Sequence, residues 1–347
     1  MRIAMKAAGP EVPTRAFALG AFIGGLFLAA FCGFPGGAVA CDGLKDCAAY
    51  WETQALMCQA GPGWREFPNK QSDDSRSPCG DGDMTLFNGL LCAAGDERGC
   101  DGVAGAQNPD TGEWFRSPRL MRIGKYDGAT FSPDMALGVQ LYLVKKKDAA
   151  RASKWLNWMN VNDPCYLKFC GRCLWKGLPS FCPDCNCTVR PGDAAMLAAT
   201  IKYLQTTADL PHLPYGHLSE YLRVAGGSTS VNEIIGAVFN KKGYSQHLTG
   251  VSILLSRMMG LSDFLIDDAA AKLSQSNPGN AFYAYLHKGM AAKEEISGQI
   301  LARCPQRGDV LKPPLNQWQY ERENKEEAWK SSCYWDCIFM AEMIADK

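Results

Sequence analysis

Residues 79–95 read CGDGDMTLFNGLLCAAG, in which two acids, Asp81 and Asp83, stand between glycines directly before an apolar helix. A third acid, Asp134, lies in the first turn of another apolar helix, in the stretch FSPDMALGVQLYLV. An aspartate in such a place is a common N-cap, because its oxygen accepts a hydrogen bond from an unpaired backbone N–H. Carboxylates that meet at the rim of a cleft can instead perform general acid and base catalysis. Both interpretations are open for Asp83.

The stretch between these acids, residues 113–134, reads EWFRSPRLMRIGKYDGATFSPD. A sugar offers an apolar C–H face to aromatic rings and hydroxyls to charged planar groups, and arginine also grips carboxylates with two parallel hydrogen bonds. The stretch therefore predicts a sugar-binding loop, with a carboxylate at Glu113 and substrate contacts from Trp114, Arg116, Arg119 and Tyr126. A surface loop packed by its own aromatic side chains is the alternative.

A second aromatic region, residues 317–339, reads QWQYERENKEEAWKSSCYWDCIF. Trp318 is predicted to add to the substrate contacts. Asp336 lies within the predicted last helix, where an unpaired charge is costly, so it is either salt-bridged in the core or facing a cavity as a substrate-binding residue. Most of the four glutamates at the start of this helix are predicted to form a solvated first turn, the four being Glu321, Glu323, Glu326 and Glu327.

Composition and missing motifs exclude several function classes. The 347 residues include 36 Lys and Arg against 36 Asp and Glu, and zero net charge disfavours nucleic acid as a partner. The sequence contains no GxSxG, no HExxH and no Walker loop, which disfavours serine hydrolases, zinc proteases and nucleotide enzymes. We predict no cofactor and no metal.

The first forty residues have the pattern of a signal peptide. Basic residues near the start are followed by an apolar stretch over 17–34 and by an Ala38-x-Ala40 cleavage pattern. This pattern predicts cleavage before Cys41, which would leave no membrane span in the mature form. An uncleaved anchor and a lipid anchor on Cys41 are the alternatives. Sixteen cysteines, of which only Cys32 lies in the leader, fit an oxidising compartment, so we predict a periplasmic or extracellular protein.

The mature chain, residues 41–347, is predicted to be one all-helical domain. Three helices, at 134–144, 193–204 and 247–259, are apolar nearly all round and alternate with amphipathic ones, which indicates two concentric layers of an (α/α)6 toroid. An α-solenoid is the rival, but no fixed sequence period supports it. No strand pattern is evident. The predicted helices are 43–58, 83–94, 97–107, 133–146, 148–160, 192–206, 215–224, 231–240, 246–259, 262–274, 280–289, 291–303 and 325–346.

A cysteine-rich loop over 161–190 interrupts the helices. Its CxxC pairs at 170/173 and 182/185 have zinc-ribbon spacing, but the export signal favours three disulfides stapling the loop. Elsewhere Cys92 is predicted to pair with Cys100, and Cys304 with either Cys333 or Cys337.

The stretch DGDMTLFNGLLCAAG resembles the DGD-x-x-x-A-x-x-LL-x-A helix start of (α/α)6 glycoside hydrolases of the bacterial cellulase and chitosanase type. The resemblance covers about fifteen residues, and the family's motif with the glutamate general acid is not found in this chain. The resemblance implies a sugar cleft with Asp81 or Asp83 beside bound sugar. Inner helices of a toroid run parallel, so acids at their N-termini would converge on one pocket, where the helix dipoles keep them ionised.

These observations lead to an expected function and two rivals. We expect an exported glycoside hydrolase that cuts inside a glycan chain, with catalytic carboxylates among Asp83, Asp134 and Glu113, and with inversion implied by the family analogy. The first rival is a polysaccharide lyase, in which Arg116 or Arg119 neutralises a uronate and Tyr126 or His247 abstracts the proton. The second is a non-catalytic, disulfide-rich protein that binds a glycan or another partner.

Overall fold

The computed structural model describes residues 41–74, 77–124, 131–162, 164–169, 172–183, 187–323 and 327–345. The predicted leader, Tyr126, Glu326 and two of the loop cysteines, Cys170 and Cys185, lie outside these ranges.

The described residues are mostly helical, as predicted for the fold class. Two short antiparallel hairpins accompany the helices: β1 (Met57–Gln59) with β2 (Glu66–Pro68), and β3 (Cys165–Phe169) with β4 (Arg172–Lys176). The helices are α1 (Leu44–Gln54), α2 (Met84–Ala94), α3 (Glu97–Ala104), α4 (Pro118–Ile123), α5 (Pro133–Lys146), α6 (Ala149–Val161), α7 (Pro191–Thr207), α8 (His217–Ala225), α9 (Thr229–Phe239), α10 (Tyr244–Met258), α11 (Phe264–Ser276), α12 (Ala281–Lys288), α13 (Lys293–Arg303) and α14 (Trp335–Met343).

Sequence patterns missed three kinds of element. Helix α4 has only six residues, too few to show a hydrophobic period, although Ser117 caps it and Pro118 starts it. The predicted last helix, 325–346, is wrong over its first part, because a 3-10 turn at 328–331 and a left-handed residue, Tyr334, precede α14. The hairpins escaped prediction because β1 and β2 have three residues each and the β3–β4 pairing is irregular, which hides the two-residue alternation.

Helices α2 and α5 pack with their backbones almost touching. A Cβ atom added to Gly89 would lie 2.4 Å from the carbonyl oxygen of Gly138, and one added to Gly138 would lie 2.3 Å from that of Thr85. Only glycine at both positions allows this approach. The contact fixes the start of α2 beside the first half of α5.

The starts of several helices lie near one another. The Tyr244 hydroxyl at the start of α10 donates to Asp134 in the first turn of α5. The side-chain amide of Asn280, which caps α12, donates to the carbonyl of Tyr320 at 3.3 Å. Gly243, directly before α10, lies against the backbone of Glu321. The 3-10 turn at 319–321 therefore lies between the starts of α10 and α12.

Six disulfides join described cysteines, which confirms the disulfide-stapled character of the chain. Cys92–Cys100 is confirmed, and Cys304 pairs with Cys337, which leaves Cys333 free and buried. The described cysteines of the cysteine-rich loop form two of the three predicted bonds and include two cysteines of the zinc-like spacing, while the other two, Cys170 and Cys185, lie outside the described residues. The remaining bonds and those of the loop are Cys41–Cys47, Cys58–Cys79, Cys165–Cys173 and Cys182–Cys187.

So many disulfides indicate that the protein folds in an oxidising, exported environment. The sulfur of Cys41 is bonded to Cys47, and a thioether lipid would need that same sulfur, so the two states exclude each other. Within the described ranges, no helix has the length and apolar character that crossing a membrane requires.

Candidate functional site at the helix starts

Asp83 occupies the N-cap position of α2 without capping it through its side chain. Its backbone is left-handed, with φ of 63°, a conformation that aspartate adopts more readily than most residues but that still costs energy. Instead of accepting a backbone N–H of the helix, its carboxylate accepts a hydrogen bond from Arg116 Nη1 at 2.9 Å. About a third of this carboxylate side chain is exposed, so it is paired and still open to solvent.

Asp134 is the second acid of the site and is held by two hydroxyl groups. Ser132, just before α5, donates to one carboxylate oxygen, and Tyr244 donates to the other. Burial, followed by the negative charge of Asp134 and that of Asp83, raises the pKa of Tyr244 well above its usual range. Tyr244 therefore stays protonated and acts as a hydrogen-bond donor.

Glu321 is a third carboxyl group, and it is an exception to the solvated turn predicted for most of the four glutamates. It ends the 3-10 turn at 319–321 with only 5 % of its side chain exposed, and is not part of a solvated helix turn, whereas Glu323 and Glu327 are exposed. Burial raises the pKa of Glu321 to about 7, although Arg322 and Lys70 oppose the shift with their positive charges. Arg322 Nη2 donates to Oε1 at 2.8 Å, while Oε2 has no hydrogen-bond partner within the described part of the chain.

We call Asp83, Asp134 and Glu321 the carboxylate cluster. The negative charges of all three contribute to the raised pKa of Tyr244, and that of Asp83 also contributes to the raised pKa of Glu321. Contacts place Asp134 and Glu321 beside Tyr244, because Asp134 accepts from the Tyr244 hydroxyl and the Glu321 backbone lies against Gly243. Asp83 is linked to this group through electrostatics alone, and Glu321 is not among the residues that the sequence predicted for the site. The aromatic residues around Glu321, Trp318 and Tyr320, were the available signal of its burial.

An open cavity of about 480 Å³ is lined by Glu321 of the cluster but not by Asp83 or Asp134. Tyr244 and Arg322 also line it, as do Lys312 and Glu327, which form an ion pair at 2.7 Å. This volume is within the range of small-molecule sites and suits a few sugar units.

Lys70, which lies between β2 and α2, supplies a positive charge near the carboxylate cluster. Its ammonium lies 4.9 Å above the centre of the Phe87 ring, and Phe87 stacks on Trp318 with ring centres 4.8 Å apart. Trp318 is fully buried, so its ring supports the site from beneath and does not offer a face to a ligand.

Asp81 and Arg119 organise the loop that carries Arg116. Asp81 accepts from the Ser117 hydroxyl at 2.7 Å, and Ser117 in turn caps α4. Arg119 donates to the carbonyl of Cys79 at 2.8 Å and lies 3.8 Å from Asp81. These two predicted substrate contacts therefore have clear roles in holding the loop.

Glu113 and Trp114 lie towards a different part of the molecule. Gly112 packs on the backbone of Lys154 in α6, and the fully buried Trp114 ring meets Tyr142, which lies about 12 Å along α5 from Asp134. The structure does not bring these two residues into the carboxylate cluster. Tyr126 lies outside the described residues.

Asp336 and His247 are both fully buried. Asp336 accepts hydrogen bonds from the Ser332 hydroxyl at 2.6 Å and the Gln319 backbone at 3.0 Å, which satisfies the carboxyl without opening it to a cavity. Burial and the charge of Arg322 lower the pKa of His247 to about 3, so its imidazole is neutral.

No protein-family model, no curated protein and no solved structure matches this chain.

Proposed function

We propose that this protein is an exported glycoside hydrolase that cuts inside a glycan chain, with Glu321 as its proton donor. One observation carries the proposal: a buried carboxyl group with a pKa of about 7 lines a cavity together with Tyr244, whose hydroxyl donates to a second carboxylate, Asp134. Glycoside hydrolysis needs two such carboxyl groups in different protonation states. Environments that separate the pKa values of neighbouring acids identify the acid and the base.

Glu321 suits the acid role because it keeps its proton up to neutral pH. It would protonate the glycosidic oxygen as the bond to the leaving sugar breaks. Its Oε2 is buried and has no hydrogen-bond partner within the described part of the chain, so the glycosidic oxygen would reach it only after a local displacement of the cavity wall. Arg322 holds Oε1 and limits the rotation of the group.

Asp83 suits the base role. It is paired with Arg116, is reached by solvent, and would draw a proton from the water that attacks the sugar. Asp134, held by Ser132 and Tyr244, would place a negative charge near the cationic transition state. Inversion at the anomeric carbon remains part of the proposal, and it requires carboxyl groups about 6.5–9.5 Å apart.

A closed (α/α)6 ring is the scaffold that we propose for these groups. Helix α2 lies against both α14 and α5, α5 lies against α7 and α10, and α10 lies against α12. Phe282 of α12 and Phe339 of α14 meet with ring centres 5.6 Å apart, which closes a circuit of five helices, and α7, packed on α5, is the sixth inner helix that we propose. Parallel inner helices in such a ring explain why their starts share one end.

The polysaccharide lyase has less support than the hydrolase. A lyase needs a base that can remove a proton from carbon, and burial keeps His247 away from a substrate. Tyr244, which is better placed, has its pKa raised and is therefore a weak candidate for the tyrosinate that such a step uses.

A screen of the exported protein against polysaccharides tests the proposal, with new reducing ends and ultraviolet absorbance both recorded. Reducing ends without absorbance indicate hydrolysis, and absorbance from a new double bond indicates a lyase. Glu321→Gln and Asp83→Asn are expected to lower kcat by about 10²–10⁴-fold while substrate still binds. Glu294→Gln, at an exposed glutamate of α13 that does not line the cavity, is the matched control and is expected to keep full activity. If no glycan is cut and the variants bind as the wild type does, the non-catalytic binder is the better description.

A further inference from the structure

The β3–β4 hairpin, residues 165–176, exposes large apolar side chains to solvent. Phe169 is 67 % exposed and Trp175 is 66 % exposed, and Leu167 and Leu174 are each more than half exposed. The Cys165–Cys173 disulfide ties its two strands together, so these side chains project from a preformed element. We call this element the apolar hairpin.

The exposed side chains occur on both faces of the apolar hairpin. Leu174 and Trp175 are successive residues of one strand and therefore point to opposite faces. Leu167 is the cross-strand partner of Trp175 and accompanies it on its face. A protein partner that pairs with one face would leave the other exposed, whereas a medium that surrounds the hairpin covers both.

The charge of this segment differs from that of the chain as a whole. Residues 164–178 include Lys168, Arg172 and Lys176 but no acidic residue, in a chain whose formal net charge is zero. Basic residues next to Trp, Phe and Leu are the composition of segments that enter the interface of an anionic bilayer. Each basic residue near such a surface adds electrostatic attraction.

We propose that the apolar hairpin inserts into the headgroup region of an anionic lipid bilayer and holds the protein at a membrane surface. The aromatic and leucine side chains enter the interface from both faces of the hairpin, and the positive charge of the segment 164–178 favours an anionic surface. The hydrogen bond from the Gly177 backbone to the carbonyl of Pro164, at 2.7 Å, closes the base of the hairpin where it leaves the body. This proposal is independent of the glycan chemistry of the carboxylate cluster.

Sedimentation with vesicles tests the proposal. The exported protein, with its disulfides intact, is mixed with vesicles of phosphatidylglycerol and phosphatidylcholine and with vesicles of phosphatidylcholine alone. We expect binding to the anionic vesicles that weakens with salt. The double variant Phe169→Ser and Trp175→Ser is expected to lose affinity by at least about tenfold, since burying one large apolar side chain alone changes affinity by about that factor.

Phe264→Ser is the matched control, because Phe264 is an exposed aromatic residue at the start of α11. It is expected to leave vesicle binding unchanged. Circular dichroism and the thermal midpoint show whether each variant is folded, and replacement of exposed side chains is expected to preserve both. Absence of binding to anionic vesicles, or equal binding by the folded double variant, overturns the proposal. Retention on insoluble polysaccharide that depends on Trp175, without vesicle binding, would make the hairpin a glycan contact and also overturn it.

Discussion

The close contact of α2 with α5 gives a prediction that needs no substrate. In Gly138→Ala, the added Cβ would lie 2.3 Å from the Thr85 carbonyl oxygen and 2.6 Å from the Leu86 Cα. Both neighbours are backbone atoms, so no side chain can rotate away. Restoring normal contact distances requires the helices to separate by about 1 Å.

The expected cost follows from this geometry. Overpacking of a well-packed core lowers the free energy of unfolding by about 1–3 kcal/mol or more, whereas replacing glycine by alanine within a helix raises it by up to about 1 kcal/mol. Because backbone meets backbone here, we expect the upper part of that range and a net loss of about 2 kcal/mol in the free energy of unfolding. The same separation displaces Asp83, which directly precedes α2, from Asp134.

The assay is equilibrium unfolding in urea with the disulfides intact. Gly298→Ala in α13 is the matched control, because no atom lies within 4 Å of the added Cβ. It is expected to stabilise the protein by about 0.5–1 kcal/mol, the ordinary gain for this exchange in a helix. If Gly138→Ala is as stable as Gly298→Ala, the close approach of α2 and α5 is refuted.

Further predictions concern single buried groups. Burial raises the pKa of Glu233 to about 7, so the folded state holds an extra proton between about pH 4.5 and pH 7. The free energy of unfolding therefore falls as the pH rises through that window. Glu233→Gln is expected to remove about 3 kcal/mol of this pH dependence, as measured by urea unfolding at pH 5 and pH 8. Cys333 is buried, and burial raises the pKa of its thiol, so we expect a reagent to alkylate Cys333 only after the protein has been unfolded without reductant. Labelling of Cys333 in the native protein would contradict its burial. Intact and peptide masses are expected to show Cys41 bonded to Cys47, and a lipid mass on Cys41 would contradict that pairing. Trp114→Ala is expected to cost about 3–5 kcal/mol of stability through the cavity that it leaves, and a variant of unchanged stability would contradict the full burial of Trp114.

Local patterns were sufficient to predict most helices. The start of α5 carries a Ser-Pro-Asp sequence ahead of an apolar run, and the structure begins the helix at Pro133 as that sequence indicates. The pairing of Cys92 with Cys100 could be predicted for a similar reason, since a short turn brings them together. The choice between Cys333 and Cys337 as partner of Cys304 could not, because both lie near the same predicted helix and only packing separates them.

The site was harder to predict than the fold. The sequence predicts Asp83 and Asp134 as site residues because both lie at the starts of apolar helices, a local feature, and the structure joins Asp134 to Tyr244 by a hydrogen bond. The sequence does not single out Glu321 among the four glutamates, because its charged neighbours indicate exposure while its burial depends on the distant α10 and α12. Trp114 shows the opposite error, since an aromatic residue between charged ones suggested a ligand contact and tertiary packing buries it.

The most direct test of the central claim is the pH dependence of glycan cleavage by the wild type and by Glu321→Gln. Once the screen identifies a substrate, we expect kcat/KM of the wild type to fall tenfold per pH unit above an apparent pKa of about 7, as Glu321 loses its proton. Glu321→Gln is expected to bind the glycan and to cut it at most very slowly at every pH. Wild-type rates in Glu321→Gln, with the same alkaline limb, would contradict the account.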